Sequence, residues 1–99
     1  MGDLRNIRRK IDAIDDSILR LLAKRRAASL LALRIKARRG ALPRDARREK
    51  KLMMRVGKSA KALKLDPRVV ADIFRAILKD SVSFQRRNLS AARPRDQAR

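Results

Sequence analysis

At 99 residues the chain is the size of one domain, with room for a modest core. Aromatics make up only 2% and Ala, Leu, Arg and Lys dominate, a palette for helices. With no Cys or His, disulfides, thiolate or imidazole metal sites and Cys–His or Ser–His nucleophiles are excluded, while a net charge of +19 draws anions without choosing among nucleic acid, acidic membrane and small substrates.

Leu4, Ile7, Ile11, Ile14, Ile18 and Leu21 recur three and four apart, which is one apolar stripe on a helix. Asp3 suits the N-cap, and neither Pro nor Gly interrupts the chain before Gly40. The first helix is therefore expected over 4–38, roughly 50 Å long. Arg38-Arg39-Gly40 reads as its end, with cations at the negative pole and Gly just beyond. Residues 41–44 form a short connector. A second helix is expected from Asp45, carrying Leu52, Met53, Val56, Ala60 and Leu63, with Gly57 a weak point inside it. Asp66-Pro67 marks the next start, a cap followed by a proline at the first helical position. The third helix carries Val70, Ile73, Phe74, Ile77 and Phe84 and fades near Asn88 or Leu89. The reading is an all-α domain of three helices over residues 1–89, with 90–99 a flexible basic tail.

The longest uncharged run of the first segment, Ala27 to Leu33, is too short to span a bilayer. No apolar leader core follows Met1, so no membrane partner and a cytoplasmic location are expected. The first helix is nearly twice as long as either of the others. Two short helices cannot cover so long a stripe, which predicts a homodimer with the long helices side by side.

Polar residues within the stripes carry the next clue. Arg25 and Lys36, separated by Ala28 and Ala32, lie three turns apart and point within roughly 20° of each other. Each could snorkel to water; turned inward, both need an anion. Ile73, Ile77, Ser81 and Gln85 form one row, which either leaves the core or extends it with hydrogen-bonding groups. Asp45, Arg48 and Glu49 share a face on the second helix, where acids also complement the helix dipole. Together these positions would make a small polar chamber suited to a multiply anionic molecule bearing a hydroxyl.

The runs Ile7–Asp15 and Ile18–Arg26 resemble the opening of the all-helical chorismate mutases. Lys36, the Asp45-Ala46-Arg47-Arg48-Glu49 segment, Leu65-Asp66-Pro67, Ile73-Phe74 and Asp80–Gln85 resemble later parts of that family. The resemblance covers about residues 4–87. It implies the Claisen rearrangement of chorismate to prephenate in an intertwined homodimer, with no cofactor and no metal. Carried over, Arg25 resembles a carboxylate-gripping guanidinium, and Arg8 resembles the arginine that crosses into the partner's site. Lys36 and Gln85 resemble donors to the breaking ether oxygen, and Glu49 resembles the acceptor of the ring hydroxyl. Asp45 resembles a contributor at that end, Arg48 an orienting group and Ser81 a carboxylate-side donor.

The chain is more basic than the family pattern, through Arg47, Lys50, Lys51, Lys58 and Lys61. The 29 Lys and Arg also suit nonspecific nucleic-acid binding, and a nucleic-acid-binding helical dimer is one alternative function. It leaves Asp45, Glu49, Ser81 and Gln85 unexplained. An isochorismate-pyruvate lyase on the same fold is the other alternative, and the intact Asp-x-x-Arg-Glu segment favours the mutase.

Overall fold

The computed structural model describes residues 2–40 and 45–92, leaving aside the side chains of 89–92. Within these residues the chain forms three helices, α1 (Asp3–Arg38), α2 (Ala46–Ala62) and α3 (Pro67–Ala92). The all-α reading holds. The expected connector over 41–44 lies outside the described residues, as do 93–99 of the expected tail.

Each helix boundary has a local cause. Gly2, not Asp3, is the N-cap of α1, and Asp3 is instead its first helical residue. There its acid still complements the dipole. At the far end Gly40 adopts φ 71° just beyond the C-cap Arg39, a left-handed conformation that favours glycine. Asp45 caps α2 as expected, its carboxylate accepting from the Arg48 backbone N–H at 3.1 Å. The exit of α2 is a Schellman turn. Leu65 N–H donates to the Ala60 carbonyl at 2.8 Å and Lys64 N–H to that of Lys61 at 3.1 Å, with Lys64 at φ 61°. Asp66 then accepts from the Arg68 N–H at 2.9 Å, opening α3 at Pro67. The end of α3 differs from expectation. It continues to Ala92, because Ala91 and Ala92 favour helix and nothing before them breaks it.

The turn folds α2 back along α3, and α3 in turn packs against α1. Bonds from Arg25 to Ser81 and from Gln85 to Ser29 show that α1 and α3 run in the same direction. Only the C-terminal half of α1 is used in this contact. The molecule is accordingly long and flat, 67 × 28 × 15 Å.

The buried apolar residues among those described are Leu33, Val56 and Ala60. Leu52 and Met53 are half-buried, whereas Leu63, expected on the second helix, is the C-cap just past its end and is exposed. Ile73 is also exposed, while Phe74, Ile77 and Phe84 are half-buried. The stripe Leu4, Ile7, Ile11, Ile14, Ile18 and Leu21 forms the expected single face. It is 50–62% exposed, because no other element among the described residues covers it.

Two glycines predict opposite outcomes for one substitution. A Cβ at Gly57 meets no atom within 4 Å, so Gly57→Ala should raise stability by about 0.5–1 kcal/mol. Gly40→Ala, at a positive φ, should lower it by about 1 kcal/mol. Urea midpoints at fixed protein concentration check both.

Candidate active site

The three helices line a half-open chamber of about 210 Å³. From α1 it receives Arg25, Ser29 and Lys36, with Ala28 and Ala32 as its small-residue wall. The first turn of α2 contributes Arg48 and Glu49, its N-cap contributes Asp45, and α3 contributes Ser81 and Gln85. Leu52, Leu78 and Val82 complete an apolar side. Every site residue expected within one chain is therefore brought together.

Arg8 is the exception. It sits on the exposed N-terminal half of α1 and does not line the chamber. Seventeen residues separate it from Arg25, roughly 25 Å along the helix axis.

Arg25 turns inward rather than to solvent, and its Nη1 donates to Ser81 Oγ at 3.2 Å. Ser81 Oγ in turn lies 3.0 Å from Ser29 Oγ. Gln85, only 6% exposed, donates through Nε2 to Ser29 Oγ at 3.0 Å and to the Ser29 carbonyl at 3.2 Å. A buried amide without partners would cost about 1–3 kcal/mol. Here it is satisfied, with its donor end fixed towards α1. Asp45 has a structural duty, since one carboxylate oxygen caps α2.

Ser29 is the residue that sequence reasoning missed. It lies one position beyond Ala28 in the row that links Arg25 to Lys36, so helical spacing did not single it out. Its importance comes from α3, where Ser81 and Gln85 are four residues apart and both meet its hydroxyl. A second missed feature lies beside Arg25. Arg26 Nη2 pairs with Asp80 Oδ1 at 2.9 Å, and its guanidinium sits 4.4 Å from the centroid of the Phe84 ring. Both charges are half exposed, so the ion pair is worth less than about 1 kcal/mol. The ring contact adds about 0.5–1 kcal/mol, and the two hold α1 and α3 in register.

Chemically, the chamber combines fixed cationic and amide donors with two carboxylates and an apolar wall. Such a lining can orient a small anion and stabilise charge that develops on one of its oxygens. The family model for chorismate mutase type II matches residues 7–86. The chain belongs to the type II chorismate mutase family. A chorismate mutase of Methanocaldococcus jannaschii is 33% identical over 86 residues, which cover 87% of each chain. The match to the family model spans all three helices, so the chamber falls within it.

The Ser29 network predicts a measurable stability effect. Ser29→Ala removes the hydroxyl shared by Ser81 and Gln85, and should cost about 1–2 kcal/mol in urea denaturation. Ser17→Ala, at an exposed serine bonded to its own helix, should change stability by less than about 0.5 kcal/mol.

Proposed function

We propose that this member of the chorismate mutase family rearranges chorismate to prephenate within a homodimer, each chamber being completed by Arg8 of the partner chain. The observation that carries this reading is the convergence of Arg25, Lys36, Asp45, Arg48, Glu49, Ser81 and Gln85 on one small chamber. These residues lie on three separate helices, and only the fold brings them together.

The rearrangement is pericyclic. An ether C–O bond breaks while a C–C bond forms across the ring, with no atom gained or lost and no proton transferred. The protein therefore has to hold the substrate in its reactive chair and stabilise charge that builds on the ether oxygen. In this proposal Arg25 and Ser81 take one carboxylate and Arg8 of the partner takes the other. Lys36 and Gln85 donate to the ether oxygen, a contact that strengthens as the bond lengthens. Glu49 accepts from the ring hydroxyl, supported by Asp45, and Arg48 orients that end. In this proposal Gln85 Nε2 exchanges one of its two Ser29 acceptors for the ether oxygen.

Dimerisation rests on the uncovered α1 stripe. An apolar hollow of about 410 Å³, lined by Leu22, Ala76 and Ile77 among others, continues that face. Contiguous apolar surface on this scale marks an association site, and a second copy offers a matching stripe. Among the described residues no helix is long and apolar enough to cross a membrane. The cytoplasmic location expected from the sequence belongs to this proposal. Nucleic-acid binding as the sole function gives the chamber's acids no role. The lyase reading is disfavoured by Asp45 and Glu49, both of which line the chamber.

The direct test is purified protein with chorismate, following its disappearance and the appearance of prephenate. Lys36→Ala should lower kcat by about 10²–10³-fold; unchanged turnover would remove Lys36 from the site. Co-expressed Arg8→Ala and Lys36→Ala chains should recover about a quarter of the wild-type sites, since half the dimers are mixed and each holds one intact site. No recovery would mean that the site is not shared. The Gln85 amide does not titrate, so kcat should stay nearly flat between about pH 5 and pH 8. In Gln85→Glu the donor exists only when the carboxyl is protonated, and kcat should fall as pH rises.

A further inference from the structure

The basic residues that depart from the family pattern have no place in the chamber. On α2 they share one face. At 100° per residue, Arg47, Lys50, Lys51, Arg55, Lys58 and Lys61 fall within an arc of roughly 140°, and all six are exposed. The arc lies opposite Leu52, Val56 and Ala60, which face the rest of the fold. Glu49 is the sole acid between Ala46 and Ala62, and it faces the chamber. The outward face of α2 therefore carries a single sign of charge, with Met54 and Ala62 its apolar members.

We propose that this face of α2 docks the phosphodiester backbone of nucleic acid without reading its sequence. From Arg47 to Lys61 the helix rises about 21 Å, which places one cation per roughly 4 Å. A nucleic-acid strand carries one phosphate per about 3.4 Å of duplex axis, so the charge densities match. Small-substrate binding accounts for the face less well, because none of the six cations lines the chamber. A membrane fits it less well: an interfacial helix inserts its apolar side, and that side of α2 is packed on α3. The face has no aromatic residue for stacking bases, so contact with phosphates dominates its binding. This docking stands independently of the mutase reading.

The test is fluorescence anisotropy of the full chain with a labelled single-stranded RNA of mixed sequence, over a series of salt concentrations. Binding should weaken with salt, log K against log[salt] having a slope of about −3 to −4 for four to six cations engaged on a single strand. The triple variant Lys50→Gln/Arg55→Gln/Lys58→Gln should reduce the magnitude of that slope by about 2 and weaken low-salt binding at least tenfold. Its helicity and chorismate turnover should match those of the unmodified chain. A control variant, Lys79→Gln/Arg86→Gln/Arg87→Gln, removes the same charge from α3 and should retain most of the binding. Equal loss in the two variants would overturn the assignment, since bulk charge would then explain it. Absence of binding at low salt would also overturn it. Retention on phosphatidylserine–phosphatidylcholine vesicles without RNA binding would instead assign the face to a membrane.

Discussion

The register between α1 and α3 is the constraint on which the rest depends. Each helix presents polar residues four apart, Arg25 and Ser29 on one, Ser81 and Gln85 on the other, and these interlock as a ladder. A slip by one residue would rotate each side chain by about 100° and break every rung. The Arg26–Asp80 pair and the Phe84 ring lock the same register from the neighbouring side. Because α2 is tied to α3 by the Schellman turn, fixing α3 also fixes where Asp45, Arg48 and Glu49 stand. One interhelical seam thus sets the geometry of the whole chamber.

That seam is polar, and the apolar core is small. Leu33, Val56 and Ala60 are the buried apolar residues among those described, too few to hold a domain of this size on their own. Much more apolar surface lies along the first five turns of α1. The chain therefore divides its labour. The C-terminal half of α1 lines the chamber with α2 and α3, and its N-terminal half leaves an apolar face uncovered. Satisfied hydrogen bonds at Ser29 and Gln85 supply specificity of packing where hydrophobic burial is thin.

Much of this was legible in the residues. Periodicity located the α1 stripe, Gly40 marked its end, and Asp45 and Asp66-Pro67 marked the starts of α2 and α3. Interruptions of the stripes at Arg25, Lys36, Ser81 and Gln85 pointed to the chamber, and the family resemblance supplied their suggested roles. What stayed hidden depends on which helix faces which. Ser29 matters only because two α3 side chains converge on it, and Arg26 only because Asp80 and Phe84 lie across the seam. Asp3 was misread as a cap because the sequence favours acids both at a cap and in the first turn. The end of α3 was placed early because weak apolar periodicity there masked good helix formers.

The order of synthesis gives the long α1 stripe a further consequence. α1 leaves the ribosome first, and its seam partner on α3 is complete only once Ala92 has been made. At about 5–20 residues per second, that interval lasts several seconds. The aliphatic face of its N-terminal half is displayed throughout that interval and is still uncovered by the described residues when α3 is in place. Between Asp3 and Lys24 six cations stand against four acids, so the segment that carries this face holds only a small share of the chain's positive charge, and burial against another apolar surface is what can relieve its exposure.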